Sequence, residues 1–500
     1  MSFFLKSKKL DIKTGSEPIA MLHEEEAYHF GIRAGDKLQI AWRGKKAIVE
    51  ANTSQKKIER GTLGLYSNFW DKYPSLQEGE IVELNFIERA QSVNAIKKKI
   101  FGKPLSEEDC NSIIKDIVEN RLSNTQIAYF VASTYMKPFS NDELYFMTKA
   151  MVKNGSVLDL RRTVIVDKHS FGGVAGNEAA MIVVPIVASL GITIPKTSSR
   201  AITSVAGTAD TMEVLCPVDH DVKKLKQIVE KTNACLVWGG GLDLAPADDR
   251  IIKINYPMSL ESYDKAIISI MAKKIAVSAT HIVIDLPVGE TTKIPTLADA
   301  KIIKEKFEYL AKKFKVKIDV VILPVRDPIG KGIGPALEAR DVLRVLQQKE
   351  NRPGDLESEG IRMSAHVLEL CKKAKKGQGE GLAWKQLQSG EAWKKMQEII
   401  KAQGGKANID SEDITIGAVK NYITAKRNGK IFLVNQKAIN DVCRTLGAPN
   451  DKLAGIYLNK EFGNRVKKGE RLFTLYAQSN ERMNLALNAI KNGLEIFKIE

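Results

Sequence analysis

The sequence predicts a multidomain α/β protein: a small N-terminal β-barrel-like domain, a helical bundle, a large α/β domain with a mixed, mostly parallel sheet, and a β-rich C-terminal subdomain. Three observations predict it. The 500 residues exceed one ordinary core and suggest about three domains. The apolar pattern changes period along the chain, from alternating to helical and then to the two interleaved. In the interleaved part, glycine-rich loops follow apolar strand-like runs, as at the rim of a parallel sheet.

Residues 1–88 carry short alternating runs at 37–41, 46–50 and 80–85, with turns at 31–36 and 43–44. This segment reads as an assembly domain without a catalytic cluster. Residues 89–153 change to four helical stripes at 94–101, 106–119, 123–135 and 141–153, with Ser106, Ser123 and Asn141 as N-caps. The stretch 249–275 is also helical and is grouped with this bundle. Residues 154–248 and 276–411 form the α/β domain. Its buried strands are expected at 163–166, 234–237, 281–286 and 318–323, and its helices at 178–189, 222–231, 297–314 and 336–347. Residues 412–500 read as an α+β subdomain with strands at 429–434 and 469–476.

Composition narrows the function classes. A hydrophobic fraction of 44% and a charged fraction of 27% are those of a globular chain. The net charge of +16 admits nucleic acid, anionic membranes or anionic small substrates. The lysines are spread along the chain and no aromatic-studded basic stripe stands out, so nucleic acid is not expected as a partner. The five cysteines are far apart and form no CxxC pair, which argues against a disulfide framework or a zinc ribbon. The longest uncharged run, 179–195, is shorter than a membrane span and contains Pro185 and Gly191. The opening apolar patch is too short for a signal sequence. No membrane association is expected, and the location expected is cytoplasmic. The six histidines show no metal-binding spacing, so no metal is expected.

Four segments carry chemistry. In 166–177, Lys168, Ser170, Gly172, Gly173 and Gly176 join an apolar strand to a helix start. A lysine, a hydroxyl, glycines and free helix N–H groups suit phosphate, and a packing turn is the plain alternative. It is not a Walker A loop. In 196–210, Thr197, Ser198, Ser199, Arg200, Thr203, Ser204 and Thr208 crowd hydroxyls around one arginine, which suits phosphate and ribose. The run 238–248 begins Trp-Gly-Gly-Gly and falls on the same rim. In 259–274, Glu261, Lys265 and Ser269 are spaced for one helical face, as a surface pair also would be.

Together these segments resemble the thymidine/pyrimidine nucleoside phosphorylase superfamily. Lys168-His-Ser-Phe-Gly-Gly-Val matches its KHSxGGV signature, and 198–210, 244–248 and 269–274 follow in the family's order. The N-terminal domain and the run 199–204 look like its AMP phosphorylase branch. In the pyrimidine enzymes an arginine stands fifteen residues before the serine of the SIxAKK motif; here Ile254 occupies that place before Ser269. Ala179 stands where those enzymes have a phosphate-binding serine.

The resemblance implies phosphorolysis of AMP by inorganic phosphate, which serves as co-substrate with no other cofactor. CMP and UMP are further candidate substrates. It implies nucleotide contacts at Gly173, Ser199, Arg200, Ala201, Ile202, Thr203, Ser204, Thr208, Ser269 and Lys293. It also implies a proton donor at Glu261, where the family usually has aspartate. Phosphate falls to Lys168, Ser170, Gly172, Ser198 and Thr208. The family further implies a homodimer or higher homo-oligomer. The rival readings are a pyrimidine nucleoside phosphorylase, a magnesium-dependent phosphoribosyltransferase, and a basic nucleic-acid-binding protein on an enzyme scaffold.

Overall fold

The computed structural model describes residues 2–500 except 16–17, 88–89, 202–203, 256 and 258–261. The chain divides into two compact units, Met1–Asn154 with Pro246–Asp264, and Gly155–Ala245 with Lys265–Glu500.

The first unit opens with β1 (Ser2–Leu10), β2 (Ile19–His23), α1 (Glu24–Phe30), β3 (Lys37–Trp42), β4 (Lys45–Ser54), β5 (Thr62–Tyr66), α2 (Ser67–Lys72) and β6 (Ile81–Phe86). The six strands close into a barrel in the order β1-β5-β2-β4-β3-β6, with β6 returning to β1. In β3 the alternation puts Leu38, Ile40 and Trp42 inside and Lys37, Gln39 and Ala41 toward the outer face. The strands β1, β2 and β5 go beyond the runs legible in sequence. They pair in parallel with distant strands (β1 with β5, β2 with β4), a register that no local turn announces.

Four helices follow: α3 (Ser92–Ile100), α4 (Glu107–Val118), α5 (Asn124–Met136) and α6 (Asn141–Lys153). Ser106, Ser123 and Ser140 each form a reciprocal capping box, with Asp109, Gln126 and Glu143 respectively. The cap of α6 is therefore Ser140 rather than the expected Asn141. Glu143 stands three residues after Ser140, and its carboxylate accepts from the Ser140 N–H at 2.8 Å.

The second unit begins with β7 (Val166–Ser170), α7 (Ala179–Ser189), β8 (Ile194–Ser198), α8 (Thr208–Met212), α9 (Val222–Thr232) and β9 (Ala234–Trp238). The chain then returns to the first unit for α10 (Pro246–Asn255), where Arg250 donates to Ile117 O at 3.0 Å and Leu122 O at 2.9 Å. The stretch expected as helical at 249–275 is thus two helices, the second being α11 (Tyr263–Ala276). From Lys265 onward α11 belongs to the second unit.

The second unit continues through β10 (His281–Val288), α12 (Leu297–Phe314), β11 (Lys317–Pro324), β12 (Gly332–Ile333), α13 (Pro335–Leu346), α14 (Gly354–Leu370), α15 (Gly379–Gln388) and α16 (Glu391–Ala402). It ends with β13 (Val419–Thr424), β14 (Gly429–Val434), α17 (Gln436–Leu446), β15 (Gly455–Leu458), β16 (Arg465–Val466), β17 (Arg471–Ala477), α18 (Asn480–Lys491) and β18 (Phe497–Ile499). Strands β11-β10-β7 and β8-β9 pair wholly in parallel, and a bridge between Ile165 and Thr193 joins the two groups just before β7 and β8. Helix α7 is apolar on every side and lies at the centre of the core, against α14, α15 and α16. The C-terminal segment forms two antiparallel sheets, β12-β15-β17-β13 and β16-β14-β18, around α17.

Strand β7 corrects the sequence expectation. It runs 166–170 rather than 163–166, so Asp167, Lys168 and Ser170 lie within the strand instead of the loop after it. Charged residues are tolerated there because each has a buried opposite charge. Lys168 Nζ lies 2.9 Å from Asp285, and Asp167 lies 2.8 Å from Lys274 Nζ.

Candidate active site

The loops that follow β7, β8, β9 and β10 leave the carboxyl ends of parallel strands, the rim where open α/β sheets bind ligands. Ile165 bridges Thr193, and both strands end five residues further on, at Ser170 and Ser198. In the same register Ser198 pairs with Trp238, and Ser170 with Asp285.

The loop after β7 turns on glycine. Gly172 and Gly173 both have φ +89°, which side chains rarely adopt. A Cβ on Gly173 would lie 2.7 Å from the Lys293 backbone nitrogen, so the loop and the segment after β10 approach each other as only glycine allows. This contact brings Lys293 to the glycine loop. Ser170 Oγ accepts from the Gly172 N–H at 3.3 Å, which ties the hydroxyl to the turn.

Beneath this rim is a buried set of charges. Lys168, Lys196 and Lys274 are each at most 3% exposed, and Asp167 and Asp285 are fully buried. The aspartates hold their lysines by proximity rather than by well-directed hydrogen bonds. Burial pushes Lys196 down to about 7, helped by the charges of Lys274 and Lys168. His169 is held well below its ordinary value by burial and by the same lysines, so its ring is neutral. The two aspartates balance Lys274 and Lys168, which leaves Lys196 as the lysine of this set without a paired carboxylate.

The loop after β8 is organised by Asp210. Its Oδ2 accepts from the N–H of Ala201 at 2.7 Å and of Gly207 at 3.0 Å. Arg200 makes a forked contact to Glu213, at 2.8 and 2.9 Å, and reaches Asp210 at 3.2 Å. Its guanidinium also lies over the Trp238 ring, 5.1 Å from the centroid. Ser204 Oγ donates to Ala206 O at 2.6 Å, and Ser198 Oγ to Val237 O at 3.5 Å. Ser199 packs against Gly207, where a Cβ would lie 2.4 Å from the Ser199 carbonyl oxygen. Thr208 opens α8 beside the carboxyl of Glu178, the residue preceding α7. Ser269 is half-buried on α11. Ile202, Thr203 and Glu261 lie outside the described residues.

The sequence pointed to no role for Lys196 and Lys274, although both lie in the segments 196–210 and 269–274, and gave no sign of Asp167, Glu178 or Glu338 as site residues. One signal for the buried charges was present. Asp285 is the only charged residue in the run 282–288, and a carboxylate inside an apolar strand requires a buried partner.

Three family models match the chain: the glycosyl transferase family helical bundle domain over 93–155, the glycosyl transferase family a/b domain over 162–393, and the pyrimidine nucleoside phosphorylase C-terminal domain over 432–497. Among solved structures, anthranilate phosphoribosyltransferase from Thermus thermophilus aligns with a TM-score of 0.53 at 17% identity, over 62% of this chain and 99% of that one. The Saccharomyces cerevisiae enzyme aligns at 0.52 and 16%, over 63% and 98%. These two likenesses establish the bundle-plus-α/β fold alone.

The curated relatives reach further. An AMP phosphorylase of Methanosarcina barkeri is 38% identical over 97% of this chain and 94% of its own length. One from Thermofilum pendens is 39% identical over 99% and 94%, and one from Methanococcus vannielii 39% over 97% and 95%. These alignments span the barrel, the helical bundle, the α/β domain and the C-terminal subdomain together, and on that basis the chain belongs to the AMP phosphorylase family.

Proposed function

We propose that this protein cleaves AMP with inorganic phosphate, releasing adenine and ribose 1,5-bisphosphate. The observation that carries the reading is the near full-length similarity to AMP phosphorylases, which includes the N-terminal barrel. The pyrimidine reading is not favoured, because Ile254 replaces the charged partner of a pyrimidine carbonyl. The glycine turn at Gly172 and Gly173, above Lys168, supports the phosphate half of the reaction.

In this reading Lys168, Ser170, Ser198, Thr208 and the amides at Gly172 and Gly173 hold phosphate below C1′. Phosphate is a poor nucleophile, so orientation supplies much of the rate. The C1′–N9 bond breaks with its electron pair leaving on adenine, while a phosphate oxygen bonds C1′. The oxocarbenium character at C1′ is stabilised by the phosphate charge. Glu261 delivers a proton to the departing base. Arg200 and the neighbouring hydroxyls take the 5′-phosphate, with Gly173, Ser269 and Lys293 completing the nucleotide contacts. Inorganic phosphate is the only co-substrate required.

A product assay tests this. The purified chain is incubated with phosphate and, separately, AMP, CMP, UMP, adenosine, uridine or thymidine, with phosphate-free controls. Phosphate-dependent adenine release from AMP and not from adenosine is the expected result. Base release from thymidine or uridine alone overturns the reading in favour of the pyrimidine branch.

A further inference from the structure

Two loops of the rim are rooted in the C-terminal subdomain. Ala175, at the end of the glycine loop, and Val205, from the loop after β8, are each 1% exposed. Both lie in the apolar core around α17, with Ile439, Val442 and Leu475. Apolar burial is non-directional and does not orient a peptide. One polar contact supplies the direction. The Ala175 N–H donates to Gln436 Oε1 at 2.9 Å, across 261 positions of sequence. Gln436 is 1% exposed and opens α17 directly after its N-cap Asn435, whose Oδ1 accepts from the Ala438 N–H at 3.1 Å. The capped helix start thus fixes the backbone from which the Gln436 side chain reaches the loop.

The same stretch of chain holds a second segment of the rim. Val434 O accepts from Thr291 Oγ1 at 3.4 Å, in the segment after β10 that carries Lys293. Val434 and Gln436 therefore tie down the two segments that meet where Gly173 faces the Lys293 backbone. The glycine loop is held at both ends. The Gly172 N–H donates to Ser170 Oγ at its start, and the Ala175 N–H to Gln436 at its end. The Ala175 carbonyl in turn accepts from the Ile329 N–H at 3.1 Å. Only Gly173 and Val174 lie between the two ties, and a glycine has no side chain of its own to set its angles. Amides that bind an anion act by being aimed beforehand, and a displacement of about 1 Å lowers their effect steeply.

We infer that Gln436 is a positioning residue of the phosphate site: through Ala175 it aims the glycine-loop amides, and it makes phosphate affinity depend on the C-terminal subdomain. The inference rests on the assignment of those amides to phosphate in the reading above.

The test is KM for phosphate at saturating AMP and KM for AMP at saturating phosphate, for the full chain and three variants assayed well below their melting temperatures. Gln436→Met keeps the length of the side chain and removes the acceptor. It is expected to raise KM for phosphate about fivefold, the worth of one neutral hydrogen bond, with KM for AMP within about twofold. Gln436→Asn carries its amide on a stem one methylene shorter and is expected to shift the phosphate KM the same way. Leu446→Ala removes a fully buried side chain from the same helix and core, and is expected to lower the melting temperature with the phosphate KM unchanged. A parental phosphate KM in Gln436→Met overturns the inference and leaves the proposed reaction standing. So does an equal rise in Leu446→Ala, which would make the defect a general loosening of the subdomain. Should Gln436→Met fail to fold, Gln436→Asn decides by the same comparison. Absence of phosphate-dependent adenine release by the parent overturns the reaction itself, and the inference with it.

Discussion

Lys168 Nζ lies 2.9 Å from Asp285 Oδ1 between the paired strands β7 and β10, and both side chains are sealed from solvent. Removing either partner leaves the other buried and uncompensated, at a cost of about 3–5 kcal/mol. Asp285→Ala is therefore expected to lower unfolding stability by about that amount. An ammonium has three donors, and since Lys168 pairs with Asp285 by proximity rather than by a directed hydrogen bond, donors remain for phosphate. Lys168→Ala is expected to lower kcat/KM by about 2 kcal/mol or more, roughly thirtyfold, when assayed well below its melting temperature. Chemical denaturation of both variants and phosphate titration of Lys168→Ala check this, and an unchanged phosphate dependence removes Lys168 from the site.

Two acids stand close in sequence, and they are expected to separate cleanly by mutation. Asp264 is 3% exposed, and its carboxylate accepts from the Phe139 N–H at 2.9 Å. On the strength of that hydrogen bond, Asp264→Asn is expected to cost stability more than turnover. Glu261→Gln is expected to lower kcat about 10²-fold with little change in melting temperature. Single-turnover adenine release and thermal melts on both variants decide. A large kcat loss confined to Asp264→Asn would transfer the proton donor to that residue.

Arg200 is held from two sides, by the forked contact to Glu213 and by its hydrogen bond to Asp210. Hydrogen bonding from Arg200, joined by Lys452, pulls Glu213 down to about 2. A carboxyl depressed from 4.5 on folding contributes stability that is complete above about pH 4.5 and is lost as pH falls toward about 2. Arg200→Met is expected to flatten that acid limb in urea melts taken across the window. If the guanidinium also meets the 5′-phosphate, the same variant raises KM for AMP by about tenfold or more. A flattened acid limb with unchanged KM assigns Arg200 to the loop alone.

The legible parts of this molecule were those encoded locally. Ser106 and Ser123 declared helix starts because a capping box closes within four residues, and Gly172 and Gly173 declared a tight loop because their backbone angles exclude other residues. The start of β7 was not legible, because Asp167 and Lys168 look like loop residues until Lys274 and Asp285 arrive from more than a hundred positions away. Long-range charge pairing leaves no periodicity to read.

Lys196 offers the sharpest stability test of that buried charge. It is 3% exposed, and its Nζ donates to Thr197 O at 3.0 Å. Burial, with Lys274 and Lys168 nearby, lowers it from 10.5 to about 7 against the opposing pull of Asp167 and Glu178. Between those two values the unfolded chain binds more protons than the folded one, so stability rises with pH across that window. Below about 7 the cost of the buried ammonium is fully present, at about 1.4 kcal/mol for each pH unit of depression. Lys196→Met is thus expected to be more stable than the parent at pH 6, with the gain fading as pH approaches 10.5. Denaturant melts at pH 6, 8 and 10 measure this directly. Phosphate affinity is expected to fall in the same variant below about pH 7, where Lys196 is charged, and to change little above it. A variant less stable at pH 6 would mean that attraction to Asp167 and Glu178 outweighs desolvation, and that the buried lysine supports the fold.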